Sequence, residues 1–294
     1  MLSRREVLGL GAGLLLSRPA LAKDPVTTDI IMRTIPSTGE AIPAIGLGSW
    51  QTFDVADPKA VQPVLERFLA LGGRVVDTSP MYGRSEAAIG AMVAAIQRPM
   101  PWITTKVWTT GKQQGIAQMK QSMARLGVTK LDLMQIHNLV DWRTHMPTLR
   151  EWKAAGTVRY IGISHYGALD QLEQVVRTEP IDFVQLPYSA GQRGAEKRLL
   201  PAAADKGVAV LVMEPFSKGQ LFSAVRTKKL PAVADELGCT SWAQLFLKFL
   251  LAHPAVTCPI PATSKVKHLE DNLAALRGPV PTSSQRDKIL AAFR

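Results

Sequence analysis

Eight short apolar runs of β type alternate with helical patterns along this chain, and that alternation limits its possible folds more than any other feature. The stretches between the runs carry apolar residues at spacings of three and four, and several end in a glycine, as helices commonly do. Eight such units over about 270 residues predict an α/β fold, a (β/α)8 TIM barrel, with a doubly wound sheet as the less favoured alternative. The runs lie near residues 44–48, 74–78, 102–107, 131–136, 158–164, 181–186, 208–213 and 255–260.

Two segments stand outside this alternation. Residues 29–43 are extended on both sides of Ser37-Thr38-Gly39, which predicts a β-hairpin that closes the barrel bottom. The long stretch from Glu214 to Leu230 follows the seventh run and contains Gly219, so we expect a loop over the barrel mouth. The chain shows no internal repeat or linker, and residues 23–294 are therefore expected to form one barrel domain.

Residues 1–22 are typical of an export signal. Arg4 and Arg5 precede an uncharged run, residues 7–16, and the segment ends in Ala20-Leu21-Ala22. The run is far shorter than the roughly 20 residues of a membrane span, so no stable membrane insertion is expected after signal removal. The arginine pair resembles the twin-arginine motif, with a Sec signal as the alternative. It predicts the twin-arginine translocase as a partner, a mature chain starting at Lys23, and a periplasmic location.

Charge and cysteine content narrow the ligand classes. The formal net charge is +11, but the basic residues are scattered without interleaved aromatics, which argues against nucleic acid and favours a phosphorylated cofactor. Cys239 and Cys258 lack metal-ligand spacing, and no metal site is predicted. Two buried thiols are favoured over a disulfide.

Four polar residues lie where three predicted strands end or continue into loops. Asp77 ends the second run, Tyr82 follows it, Lys106 lies in the third run and His137 follows the fourth. Each alone is explained by capping, ion pairing or core packing. Because catalytic groups of such barrels lie at the carboxyl ends of the strands, the four together predict a catalytic site.

Four motifs carry a family resemblance: VVDTSPMYGRSE (75–86), ITTKVW (103–108), MQIHN (134–138) and IPATSKVKHLEDN (260–272). Together they resemble the aldo-keto reductases over residues 28–294. The resemblance implies reduction of aldehydes and ketones to alcohols by NADPH, with NADH also possible. The catalytic residues that it implies are Asp77, Tyr82, Lys106 and His137.

The implied chemistry requires an acidic phenol. Free tyrosine has a pKa of about 10, so we expect Lys106, kept charged by Asp77, to lower the pKa of Tyr82 towards neutrality. Tyr82 then protonates the substrate oxygen. A neutral His137 is expected to donate a hydrogen bond to the same carbonyl.

The resemblance also implies cofactor contacts. Ser164 and Gln185 are expected at the nicotinamide carboxamide, with His165 where many members carry asparagine, and Met213 or Phe216 packs on the ring unless Met213 is simply core. Thr263, Ser264 and Lys265 are expected at the adenosine phosphate, where His268 replaces an arginine of many members. The full expected set is Ser49, Trp50, Ser164, His165, Gln185, Met213, Thr263, Ser264, Lys265, His268, Asp271 and Asn272, the last two at the adenine.

The substrate pocket is expected to be apolar and open, lined by Trp50, Met81, Trp108 and Asn138. Small aldehydes suit such a pocket better than bulky steroids, and a monomer is expected. The alternative function is a redox sensor or binding protein of the same fold, which would bind the nucleotide with little turnover.

Overall fold

A computed structural model describes residues 30–96 and 100–293. The predicted export signal, residues 1–22, and the expected start of the mature chain at Lys23 lie outside these residues. Among the described residues, no helix combines the length and the apolar character that crossing a membrane requires.

The strands and helices follow the predicted alternation. The ten strands are β1 (Met32–Thr34), β2 (Ala41–Pro43), β3 (Leu47–Gly48), β4 (Val75–Asp77), β5 (Trp102–Val107), β6 (Leu131–His137), β7 (Val158–Ser164), β8 (Phe183–Pro187), β9 (Ala209–Met213) and β10 (Cys258–Pro259). The α-helices are α1 (Gln62–Ala70), α2 (Ser85–Ala95), α3 (Lys112–Leu126), α4 (Trp142–Ala154), α5 (Leu169–Thr178), α6 (Leu199–Asp205), α7 (Gln220–Ala224), α8 (Val233–Glu236), α9 (Trp242–Leu251), α10 (Val266–Ala274) and α11 (Ser283–Phe293).

Strands β3 to β10 form one parallel sheet in which neighbours along the chain are also neighbours in space. The sheet closes on itself because β3 also meets the chain around β10. Gly46 N–H donates to Pro259 O at 2.9 Å, and Gly48 N–H donates to Pro261 O at 3.1 Å. The predicted (β/α)8 barrel is therefore confirmed.

Two apolar layers hold the barrel together, because successive strand residues point to opposite faces of the sheet. Val76, Ile103 and Met134 point outward and pack with the helices in the larger cluster. The inward-facing residues fill the lower half of the barrel and include Val75, Trp102, Leu133, Tyr160, Phe183 and Ala209.

The predicted N-terminal hairpin is present and covers the barrel bottom. Strands β1 and β2 pair antiparallel, and Ile35 N–H donates to Glu40 O at 2.8 Å across the turn. Gly39 has a φ of 78°, which glycine adopts without the steric cost of a Cβ. Ile35 is fully buried in the inner cluster, and the hydroxyls of Thr38 and Tyr160 share a 2.8 Å hydrogen bond.

The segment predicted as a loop over the mouth contains short helices. A 3-10 turn at Ser217–Gly219 runs directly into α7. Leu221 of α7 is buried against the core, which explains why this stretch is ordered into turns instead of an irregular loop.

Candidate active site

Three of the expected catalytic residues lie on neighbouring strands. Asp77 ends β4, Lys106 lies near the end of β5, and His137 ends β6. Lys106 occupies an inward position because it is an even number of residues after the inward-facing Trp102, and His137 has the same relation to Leu133. The inward positions along these strands are therefore apolar in the lower half of the barrel and polar at the carboxyl ends.

Asp77 and Lys106 form a buried ion pair. Lys106 Nζ donates to Asp77 Oδ1 at 2.9 Å, to Asp77 Oδ2 at 2.8 Å and to Thr78 O at 2.7 Å. Gln185 Nε2 donates to Asp77 Oδ2 at 3.4 Å. Burial raises the pKa of Asp77 and lowers the pKa of Lys106, while the attraction between the two charges opposes both shifts.

Tyr82 lies on the loop between β4 and α2 and packs against two of these residues. Lys106 Nζ lies 5.1 Å from the centre of its ring, and the His137 ring meets it edge-on at 6.0 Å. Gly83 follows with a φ of 60°, and a Cβ there would lie 2.4 Å from the carboxyl carbon of Asp54. A glycine is therefore required beside Tyr82 for the loop to take this path.

The expectation that Lys106 lowers the pKa of Tyr82 is wrong for this structure. Burial raises the pKa of Tyr82 well above its ordinary value, and the negative charge of Asp77 raises it further. The reason is geometric: the three hydrogens of the Lys106 ammonium are used by Asp77 and Thr78 O, and the ammonium lies over the ring. Tyr82 is therefore a protonated phenol in this structure.

His137 is neutral, as expected. Burial, followed by the positive charges of Lys106 and His165, lowers the pKa of His137 to about 2. Its Nδ1 lies 2.8 Å from Ser164 Oγ at the end of β7. When the serine hydroxyl donates to Nδ1, the hydrogen of the neutral ring resides on Nε2.

A cavity of about 530 Å³ lies at the carboxyl ends of the strands. Asp77, Tyr82 and His137 line it, whereas Lys106 and Ser164 are fully buried and reach it only through their hydrogen-bond partners. The other expected site residues in its lining are Ser49, Trp50, Met81, Asn138, Gln185 and Met213. Met213 is only half-buried, so it is a wall of the cavity and not simply core.

Three buried polar atoms of lining residues have no hydrogen-bond partner within the described part of the chain. They are Ser49 Oγ, Asn138 Oδ1 and Gln185 Oε1. Buried polar atoms are normally paired, so unpaired ones around one cavity indicate a place for a polar ligand. Asn138 also has a φ of 54°, in a left-handed turn directly after His137.

The residues expected at the adenosine end lie outside this cavity, directly before α10 and along it. Thr263 Oγ1 accepts from Lys265 N–H at 3.1 Å, and Asp271 Oδ1 accepts from Gln244 Nε2 at 2.7 Å. Ser264, Lys265 and His268 are exposed, whereas Asn272 is buried. Among the residues that the structure describes, no side chain caps the first turn of α10, so its backbone N–H groups are open to an anion.

Two further expected residues lie beside the cavity. His165 Nδ1 accepts from Gly167 N–H and Ala168 N–H, each at 2.9 Å, which places its ring hydrogen on Nε2. Trp108 is 41% exposed at the end of β5 and is not part of the cavity lining, unlike the sequence-based expectation.

The sequence did not single out several lining residues: Tyr166, Glu214, Pro215, Lys218, Gly219 and Phe222. Tyr166 stacks on His165 with ring centres 4.9 Å apart. Tyr166 lies just after the end of β7, and this position near a strand end is the feature of the sequence that could have identified it as a lining residue. The other five belong to the stretch predicted to cover the mouth, where only the length of the connection was informative.

The described residues, 30–96 and 100–293, contain no group of three or more His, Cys, Asp or Glu side chains that could hold a metal ion. Cys239 and Cys258 are both buried free thiols. Burial raises the pKa of each of them, so both are protonated at neutral pH.

Comparison with known proteins identifies the family of the chain. A model of the aldo/keto reductase family matches residues 44–289. Aldo/keto reductase slr0942 of Synechocystis sp. is 29% identical over 282 residues, covering 81% of this chain and 82% of the relative. The structure of aldo-keto reductase AKR11C1 from Bacillus halodurans superposes with a TM-score of 0.76 at 21% identity, covering 90% of this chain and 96% of that one.

A second similar structure is an aldo/keto reductase from Klebsiella pneumoniae, solved with NADP and acetate. It has a TM-score of 0.75 and 23% identity, and the match covers 89% of this chain and 95% of that one. At this identity the two structures support the fold alone. Because the family model spans most of the sequence, the chain belongs to the aldo/keto reductase family and is an NAD(P)H-dependent oxidoreductase.

Proposed function

We propose that this protein reduces aldehydes and ketones to alcohols with NADPH, and that Tyr82 donates the proton to the substrate oxygen. The observation that carries the proposal is the placement of Tyr82. It lines the cavity in contact with His137, while its ring covers the ammonium of the Asp77–Lys106 pair.

The residues present suit a nicotinamide nucleotide. Gln185 Oε1 is buried at the cavity without a hydrogen-bond partner in residues 30–96 and 100–293, which provides an acceptor for a carboxamide N–H. The uncapped first turn of α10, with Lys265, Lys267 and His268, provides N–H groups and positive charge for a phosphate. The similar Klebsiella protein was crystallised with NADP, which supports the same choice here.

When bound, the nucleotide supplies the hydride for the carbonyl carbon. The chain's own residues handle the proton. The raised pKa of Tyr82 keeps its proton in place until the substrate oxygen becomes alkoxide-like, and an alkoxide is a stronger base than a phenolate. The Tyr82 phenolate then regains a proton from water. His137, neutral and with Nε2–H free, orients the carbonyl by donating a hydrogen bond.

The experiment that tests this function is Tyr82→Phe. Loss of a general acid should lower kcat for a small aldehyde by roughly 10²–10⁴-fold, while the Kd for NADPH stays within about two-fold of wild type. Tyr160→Phe, at the barrel bottom, is the control and should keep kcat. Tight NADPH binding by the wild type without multiple turnovers would instead support a redox sensor or binding protein.

We also propose that NADPH is preferred over NADH. Lys265 is exposed beside the uncapped end of α10, where an extra phosphate would lie, but His268 lacks the two-pronged guanidinium of arginine. The preference should therefore be modest. Lys265→Ala should weaken NADPH binding more than NADH binding in titrations, whereas Lys130→Ala, exposed at the amino end of β6, should change neither; equal wild-type affinities would refute the preference.

We further propose export through the twin-arginine pathway, on the basis of Arg4-Arg5 and the short apolar run that follows. A folded protein can carry its nucleotide across the membrane. The proposal implies that the protein is located in the periplasm, and it rests on the sequence alone.

A further inference from the structure

The segment after β9 has an unusual backbone. Glu214, Ser217 and Lys218 have φ values of 54°, 48° and 54°, and Gly219 follows at 89°. A side chain with a Cβ is disfavoured at positive φ, so three such residues within five positions require support from their surroundings. Three of the four, Glu214, Lys218 and Gly219, also line the cavity, so the shape of the mouth depends on this backbone.

Within the part of the chain that the structure describes, one side-chain hydrogen bond ties this segment to the barrel. Ser217 Oγ lies 2.7 Å from Ser189 Oγ, and Ser189 follows β8 and is fully buried. Gln192 N–H donates to Ser189 Oγ at 3.0 Å, and backbone hydrogen bonds join residues 189 and 192 in both directions. Ser189 is therefore fixed, whereas Ser217 belongs to the strained segment.

The segment's other contacts hold it less specifically. Lys218 Nζ reaches Glu214 Oε1 at 3.2 Å, but this pair lies within the segment and the lysine is exposed. Phe216 and Phe222 pack with ring centres 4.9 Å apart, and Phe222 also meets Phe246 of α9 at 6.1 Å, so these apolar contacts hold the segment against the core without a hydrogen bond that fixes the backbone at Ser217. The bond from Ser217 to Ser189 is the one that fixes the left-handed residue to the end of a barrel strand.

We infer that Ser189 is a positioning residue that, through Ser217, holds residues 214–219 in the left-handed path that shapes the mouth for nucleotide and substrate. The inference rests on the proposed function only in its choice of NADPH as the ligand. The backbone effect applies equally to the protein without nucleotide. The inference predicts that substituting both serines has the same effect as substituting either one. It also predicts that Ser217→Gly is better tolerated than Ser217→Ala.

Hydrogen exchange and NADPH titration test the inference in parallel on the full chain. Ser189→Ala and Ser217→Ala should each speed amide exchange in residues 214–221 of the nucleotide-free protein, and each should raise the Kd for NADPH by about five-fold. The double variant should match the single variants. Ser217→Gly should lose less than Ser217→Ala, because glycine adopts positive φ at no steric cost.

Ser122→Ala is the matched control, since Ser122 is equally buried, its hydroxyl has no partner among the described residues, and it lies on α3. It should leave exchange and NADPH affinity at wild-type values. The inference is overturned if Ser189→Ala changes exchange less than two-fold, if the single effects add, or if exchange rises evenly over the whole barrel. Expected exchange changes without any NADPH binding would support the positioning role and contradict the proposed function.

Discussion

His137 owes its neutrality to its position above the ion pair. The imidazole is 5% exposed, and both burial and the charge of Lys106 oppose its protonation. An unfolded chain removes both influences, so free histidine's pKa of about 6.5 applies there. The folded and unfolded states therefore bind different numbers of protons over most of the acidic range.

This difference predicts a pH-dependent loss of stability. Between pH 6.5 and about 2 the unfolded chain takes up a proton at residue 137 that the folded chain refuses, so the unfolding free energy falls as the pH falls. Urea unfolding at pH 7 and pH 5 should show that wild type loses about 2 kcal/mol more than His137→Gln does. His137→Asn, which also removes the titrating group at this position, is the control and should lose as little as His137→Gln. Parallel losses in wild type and His137→Gln would contradict the prediction.

The sequence predicted the positions of the polar groups and the neutral state of His137, but not the direction in which the pKa of Tyr82 shifts. Asp77, Lys106 and His137 follow from a period of two along strands that end at one mouth, and the structure brings them together. The pKa of Tyr82 depends on how deeply the ring is buried and on where the hydrogens of Lys106 point. Neither quantity can be read from the sequence, which is why the direction of the Tyr82 pKa shift was predicted wrongly.

The N-terminal hairpin should contribute to stability without affecting activity, because it packs at the end of the barrel opposite the cavity. Ile35 contributes a fully buried side chain to the inner cluster, alongside Trp102 and Phe183. The cavity lining contains no residue of β1 or β2. Changes in this element should therefore act on unfolding alone.

Ile35→Ala is predicted to lower the unfolding free energy by about 2–4 kcal/mol, through lost burial and the cavity it leaves. The KM and kcat for an aldehyde should remain at wild-type values under conditions where the protein is folded. Met32→Ala, in the same hairpin at a position that is 44% exposed, is the control and should cost less than about 0.5 kcal/mol. A change in KM that follows the loss of stability would show that the two ends of the barrel are coupled.

The backbone path of the segment over the mouth could not be predicted from the sequence. Its length after β9 predicted that it covers the mouth, and residues of that stretch do line the cavity. Its left-handed residues are Glu, Ser and Lys, none of which favours that conformation strongly. The backbone path is imposed by tertiary contacts, such as the one between Ser189 and Ser217, that only the folded chain makes.

At the scale of the whole molecule, we propose that the protein is exported after its barrel has folded. Replacing Arg4 and Arg5 by lysine should strand the protein in the cytoplasm in folded, active form, because strands β3 to β10 of the barrel all lie within residues 47–259. Fractionation followed by an aldehyde reduction assay would measure both properties. A Lys-Lys variant that reaches the periplasm at the wild-type level would contradict the twin-arginine assignment and favour the Sec alternative.

The closure of the barrel also sets an order of events during synthesis. The hydrogen bonds from Gly46 and Gly48 to Pro259 and Pro261 join parts of the chain more than 200 residues apart. Until residues near 261 have left the ribosome, the first strand of the sheet keeps an open edge that can pair with other chains. Contacts of such long sequence separation form slowly. The growing chain therefore carries an unpaired strand edge for most of its translation, and the seam that forms last is where misassembly would begin.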